Sequence, residues 1–272
     1  MIQYLYLGHV AYDDGLALQR ELIELRYQGR VENVLLLLEH PPVLTLGRNA
    51  SRANILATDA MLAAKGVTVH EINRGGDVTY HGPGQLVGYP IFDLRRLKNS
   101  TGGRLGPVDY VRRVEEALIR LCAGYGVLTG RVAGRTGVWT NSAAGREKKI
   151  GAIGVHVSRG ITSHGFAFNV TTDLRDFQWI VPCGIADREV TSLELEMRNP
   201  EELPRLEQVA DAAARCFGQV FDEPVLAVES LEALRQTARP ASETGQVGVP
   251  MRIPAEVERL MEPEKTDSGF LA

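Results

Sequence analysis

The stretch that most constrains the fold runs from residue 149 to residue 170. Apolar and polar residues alternate over 150–157, Ser158-Arg159-Gly160 supplies turn chemistry, and a second apolar run follows over 161–170. That pattern predicts an antiparallel β-hairpin with Lys149 at its entrance. Elsewhere the signal is helical. Leu18, Leu22 and Leu25 recur at helical spacing between residues 14 and 29, and Val34 to Leu38 then reads as a buried strand. A helix is expected over 59–64, and Val67, Val69 and Ile72 alternate like a half-buried strand. Val108, Val111, Leu118, Leu121 and Cys122 line one face of a long helix, and Leu206, Val209, Ala213, Phe217 and Val220 line another. A hairpin mixed with helices predicts an α+β or mixed α/β class, a mixed sheet flanked by helices, rather than a doubly wound parallel sheet.

With 272 residues, 44% of them hydrophobic, the chain suits one sizeable domain plus an appendage. After Pro224 it becomes rich in Glu, Ala, Pro and Thr with few aromatics, so a main domain over 1–224 and a peripheral extension over 225–272 are expected. The formal net charge of −4 gives no basic field, which argues against nucleic acid or a membrane surface as a partner. The sequence opens Met1-Ile2-Gln3-Tyr4 without a basic leader, and no apolar run approaches the roughly 20 residues of a spanning helix, so a cytoplasmic location is expected. The three cysteines, at 122, 183 and 216, are too few and too far apart for a disulfide framework or a short-spaced zinc site. His9, His40, His70 and His156 lack metal-ligand spacing, and no metal is expected.

Cys183 lies between Pro182 and Gly184, where the chain should turn and present its sulfur to a cleft, although free cysteines as a class are among the most buried residues. Cys122 and Cys216 fall on apolar helix faces and read as core. Lys149 opens an apolar run. Taken alone, with Lys148 beside it, it reads as a solvated strand end; paired with Cys183 it reads as functional. Desolvation lowers a lysine pKa and a cationic neighbour lowers a thiol pKa, so together they offer a thiolate nucleophile and a base near neutral pH.

Residues 74–90 hold five glycines and two prolines, and residues 86–94 read as a strand. The segment lacks the Gly-Lys-Ser or Gly-Lys-Thr ending of a Walker loop and the third glycine of a dinucleotide fingerprint. Arg74, Thr79, Tyr80 and His81 bring donors onto it, and its amides suit an oxyanion or a carbonyl; a rigid strand connection is the alternative. His164 admits two readings, orienting a site or bonding within the hairpin. Ile153, Phe166, Phe168 and Ile180 are candidate walls of an apolar channel.

On these residues the chain resembles the lipoyl(octanoyl) transferases. The segment His40-Pro41-Pro42-Val43-Leu44-Thr45-Leu46-Gly47, residues 74–90, Gly137-Val138-Trp139, residues 149–169, Pro182-Cys183-Gly184 and Val190-Thr191-Ser192-Leu193 match family motifs in family order, covering roughly residues 1 to 220. Departures are the long C-terminal tail and His156, where a basic residue such as Arg is expected. The resemblance implies a biotin/lipoate protein ligase-like catalytic domain. It also implies an acyl-thioester cysteine at Cys183 and an activating lysine at Lys149. Acyl-binding segments are implied at Arg74, Gly75, Gly76, Asp77, Val78, Thr79, Tyr80 and His81, at Ala152, Ile153 and Gly154, and at Gly165, Phe166 and Ala167. The implied donor is octanoyl-acyl carrier protein; the implied acceptors are lipoyl domains of 2-oxoacid dehydrogenases and the glycine cleavage H protein. No cofactor is implied. The rival reading, an ATP-dependent lipoate or biotin protein ligase, shares the fold, the glycine loop and the lysine but gives Cys183 no task.

Overall fold

Every residue of Asn33–Glu39 is buried, which a strand achieves only in the middle of a sheet covered on both faces. The two faces of that strand lead to different cores. Leu35 and Leu37 join Leu86, Phe92, Phe166 and Phe168, whereas Val34, Leu36 and Leu38 join Val87, Tyr89 and Ile91. In the computed structural model, which describes residues 1–140, 147–181 and 189–239, the chain runs β1 (Ile2–His9), α1 (Tyr12–Tyr27), β2 (Asn33–Glu39), β3 (Val43–Leu46), α2 (Asp59–Ala64), β4 (Thr68–Glu71), β5 (Val78–His81), β6 (Gln85–Ile91), α3 (Pro107–Gly124), β7 (Thr129–Val132), β8 (Arg135–Thr140), β9 (Lys149–Ser158), β10 (Ile161–Asn169), α4 (Leu193–Glu196), α5 (Leu206–Phe221), β11 (Val225–Ala227) and α6 (Leu231–Gln236).

The larger sheet has the order β11-β1-β2-β6-β10-β9-β8-β7. Its first two pairings, β11 with β1 and β1 with β2, are parallel, and the rest are antiparallel, so the sheet is mixed as expected. Helices α3 and α5 cover one face. Val114, Leu118, Leu121 and Cys122 of α3 and Val209, Ala213, Phe217 and Phe221 of α5 recur at helical spacing and are all buried. Phe217 stacks on Phe166 of β10 with ring centroids 5.5 Å apart, tying α5 to the sheet. Leu22 of α1 and Leu234 of α6 pack on the other face.

A second sheet, ordered β4-β3-β5, has its own core of Leu44, Leu62, Val67, Val78, Tyr80 and Ile180. It joins the larger sheet through the tight turn at Gly82-Pro83-Gly84 between β5 and β6. The glycine segment is thus mostly two strands and a turn, and the strand expected over 86–94 spans Gln85–Ile91. The expected boundary after residue 224 falls inside the compact unit Met1–Arg239. Val225 pairs with Ile2, Val228 donates its N–H to the Tyr4 carbonyl at 2.8 Å, and Leu234 is fully buried. Those pairings place residues 225–239 on the domain despite their polar composition. Among the described residues no helix is long and apolar enough to cross a membrane.

Candidate active site

Strand alternation writes the site. On the α3/α5 face the central strands present Leu86, Phe166, Phe168 and Ile153; on the opposite face they present Ala152 and Gly154 of β9, Gly165 and Ala167 of β10, and Val87 of β6. Ala167 stands between Ala152 and Val87, and Gly165 faces Gly154. This row of glycines and small side chains is the floor of a cavity of about 300 Å³, within the range of small-ligand pockets. Val78, Thr79 and His81 of β5, with Arg74, Gly76 and Asp77 before it, form the opposite wall. Gly154 permits that closeness, since a Cβ there would come within 2.9 Å of the Gly75 carbonyl oxygen and 3.1 Å of Arg74 Cδ. Arg74 is buried, donating from Nη2 and Nε to Thr45 and from Nη1 to the Gly75 carbonyl, so a fixed positive charge borders the cavity.

Lys149 opens β9 as expected and lines one end of the cavity, together with Gly134, Arg135 and Thr136 of the β7–β8 hairpin. Its neighbour Lys148 is paired instead with Glu189 at 3.3 Å, which separates the two lysines that sequence alone left equivalent. The Lys149 N–H donates to the Glu189 carbonyl, and its carbonyl accepts from the Thr191 N–H, both at 3.0 Å. Residues 189–191 therefore run along Lys149, and Val190 lines the same cavity. Before the Cys183 segment, Val181 donates to the Asn54 carbonyl at 2.8 Å. Cys183 itself lies outside the described residues.

A chain of hydrogen bonds fixes the tautomer of His81. Asn169 Nδ2 donates to the Thr191 carbonyl, which leaves Asn169 Oδ1 to accept from Gln85 Nε2 at 2.9 Å. Gln85 Oε1 then accepts from His81 Nδ1–H at 2.8 Å, so His81 Nε2 carries no proton. Burial, followed by the neighbouring His40, lowers the His81 pKa to about 3 and keeps the ring neutral. His40 is similar: Nδ1 donates to the Val10 carbonyl at 2.6 Å and Nε2 accepts from the Tyr89 hydroxyl at 2.7 Å. Its pKa falls to about 4, chiefly by burial. His164 sits at φ 53°, donates its N–H to Gln19 Oε1 at 2.7 Å and reaches Asn73 Oδ1 through Nε2 at 2.8 Å. It thus turns out of the hairpin toward the cavity, and burial, then Arg74, lowers its pKa to about 4.

Of the expected binding residues, Arg74, Gly76, Asp77, Val78, Thr79, His81, Ala152, Ile153, Gly154, Gly165, Phe166 and Ala167 meet at this cavity. Gly75 and Tyr80 do not line it. Gly75 ties its N–H to the Val155 carbonyl, and Tyr80 is buried in the small-sheet core, donating to Asp176 Oδ2 at 2.6 Å. The apolar channel needs correction: strand parity turns the side chains of Ile153, Phe166 and Phe168 toward the α3/α5 core and the small sheet claims Ile180, so of the four only Ile153 and Phe166 border the cavity, with their side chains packed on the other face. Sequence reasoning missed Tyr12, Gln85, Val87, Tyr89 and Asn169. The alternation Gln85, Val87, Tyr89 along β6 carried the signal. Cys122 is fully buried, its thiol pushed up to about 12 by burial; Cys216 is half-buried and also raised.

The fold is similar to that of a bi-partite lipoate protein ligase from Thermoplasma acidophilum, with a TM-score of 0.65 at 17% identity, covering 88% of this chain and 91% of that one. A lipoate-protein ligase A solved with ATP gives a TM-score of 0.63 at 17% identity, covering 88% and 93%. Residues 11–218 match the lipoyl protein ligase A/B catalytic domain. An octanoyltransferase of Acidobacterium capsulatum is 65% identical over 232 residues, covering 85% of this chain and 94% of that relative. The chain belongs to the octanoyltransferase family. A second octanoyltransferase, from Koribacter versatilis, is 51% identical over 262 residues and covers 96% of this chain and 98% of its own length. Membership makes the chain an acyltransferase, with the mixed-sheet architecture expected from the sequence.

Proposed function

We propose that this octanoyltransferase-family enzyme moves an octanoyl group from octanoyl-acyl carrier protein, through a thioester on Cys183, to a lysine of lipoyl domains, including those of 2-oxoacid dehydrogenases and the glycine cleavage H protein. The observation that supports this reading is that residues 189–191, six to eight positions after Cys183 in the chain (189 − 183 = 6, 191 − 183 = 8), are hydrogen-bonded along Lys149, which lines the cavity.

An ordinary thiol of pKa ~8.5 is only a few per cent thiolate at pH 7, and the Lys149 ammonium raises that fraction. The Cys183 thiolate attacks the donor carbonyl, the carbon–sulfur bond to the carrier breaks, and Lys149 supplies the proton that the leaving thiolate needs. The acyl chain lies along the Ala152–Ala167–Val87 trough. The six methylenes and the terminal methyl of the octanoyl chain, at about 0.8 kcal/mol for each buried carbon, give roughly 5–6 kcal/mol of gross binding. An acceptor lysine of pKa ~10.4 is neutral in about one molecule in 2,500 at pH 7. Lys149, having given up its proton, removes one from the attacking amine and passes it to the departing Cys183 sulfur. Conversion of a thioester to an amide is downhill, so the route needs neither ATP nor a cofactor.

The test is to mix the protein with octanoyl-acyl carrier protein without ATP and read intact mass before and after neutral hydroxylamine. A hydroxylamine-labile octanoyl adduct on Cys183 is expected. No adduct, with lipoyl-domain octanoylation only when ATP and free octanoate are supplied, would favour a ligase.

A further inference from the structure

Glu115 is a carboxylate in the middle of α3 with no exposed surface, on the helix face that packs against the sheet. A buried charge survives only if its oxygens are filled. Glu115 Oε2 accepts from Arg112 Nη1 at 2.7 Å and Arg131 Nε at 3.1 Å, and Oε1 accepts from the backbone N–H of Gly137 at 3.0 Å. The last bond reaches a specialised peptide. Gly137 sits at φ 123°, where a Cβ would lie 2.6 Å from the Gly151 carbonyl oxygen and 3.5 Å from Lys149 Cε. Glu115 therefore holds a peptide beside which the Lys149 stem lies, next to the space that a side chain at Gly137 would fill. Two residues on, Trp139 supplies the ring over which Lys149 Nζ sits.

We propose that Glu115 is a positioning residue for Lys149. It fixes β8 where that strand wraps the lysine stem, and through Arg131 it fixes β7, so the hairpin bearing Gly134, Arg135 and Thr136 keeps its place at the cavity end. The consequence for catalysis rests on the role proposed for Lys149. Glu115→Gln keeps the volume but replaces one acceptor oxygen with an NH₂ group, which must face either the Gly137 N–H or the two guanidinium groups. The first arrangement breaks the bond to the Gly137 peptide; the second keeps it but breaks both guanidinium bonds, and with them the tie to β7.

The experiment measures steady-state transfer to a lipoyl domain for the parent, Glu115→Gln, Arg131→Gln and Lys149→Ala, with rates normalised to folded protein. In parallel, Lys149 labelling by an amine reagent across pH is mapped by mass spectrometry. For Glu115→Gln, kcat should fall by about 10- to 100-fold while KM for the donor is unchanged, the scale of a small misplacement of a reacting group. The pH profiles of kcat and of Lys149 labelling should be displaced. Arg131→Gln, altered at a partly exposed side chain, should move the same readouts less and remains informative if Glu115→Gln does not fold. A purely structural Glu115 would lower the melting temperature and the folded yield only; folded variants matching the parent in kcat and labelling profile overturn the proposal. If Lys149→Ala retains parental transfer, the role given to Lys149 fails, and the labelling profiles alone still decide whether Glu115 positions it.

Discussion

The Lys149 ammonium lies over the indole of Trp139, 4.6 Å from the ring centroid. Trp139 is almost fully buried, so this cation is held against a fixed π face, which favours its charged form. Trp139→Leu removes the face. Losing that attraction should lower the Lys149 pKa. The pH midpoint of Lys149 labelling by an amine reagent reports it, and an unmoved midpoint would show that the ring contributes nothing.

The three thiols should react in order of their surroundings. Cys122, buried and pushed up to about 12, should resist a thiol reagent at pH 7 in the native protein, and half-buried Cys216 should react slowly. A fast phase should belong to Cys183 and vanish in Cys183→Ser. A fast phase that persists in that variant would point to a different nucleophile.

The trough makes acyl length testable at its narrowest chemistry. Ala167→Leu should push aside about three methylenes of a bound octanoyl chain, which at about 0.8 kcal/mol each is roughly a 50-fold loss in kcat/KM. A butyryl donor should be affected far less. Equal losses for both donors would mean that the chain does not lie along Ala152, Ala167 and Val87.

Three histidines tie stability to pH. The rings of His40 and His164 have pKa values lowered to about 4, and that of His81 to about 3, from an ordinary value of about 6.5. Below pH 6.5 the unfolded chain binds protons that the folded chain does not. Their stabilisation is thus complete above pH 6.5 and lost as pH falls toward 4 and then 3. Melting temperature should drop from pH 7 to pH 4.5, with a shallower slope in His164→Gln. A flat profile would contradict the buried neutral rings.

Periodicity revealed much of the fold because burial follows it. The hairpin β9–β10, helices α1, α3 and α5, and strand β2 all stand where alternation or helical spacing predicts. What stayed hidden was pairing across distance. Nothing local says that Thr68–Glu71 belongs to a second sheet, or that Val225–Ala227, in polar surroundings, lies beside Ile2. The site divides similarly. Lys149, Arg74 and His81 stand out by chemistry, but Tyr12 and Asn169 reach the cavity only through tertiary folding. Phe168 and Ile180 were misplaced as channel walls because apolar character alone does not say which face of a strand or which core receives a side chain.

The floor at Ala152, Gly154, Gly165 and Ala167 owes its width to two glycines and two alanines. From Asn169 back to Gly165, four residues along β10, the floor extends about 13 Å from the row of Gln85. An enlarged side chain at Ala152 or Ala167 narrows the cavity from within, whereas a Cβ at Gly165 would lie 2.1 Å from the Gly88 carbonyl oxygen and one at Gly154 2.9 Å from that of Gly75, so the two glycines are held by the backbone around them. Substrate range in such a fold can drift by single small steps, each one passing through a working catalyst.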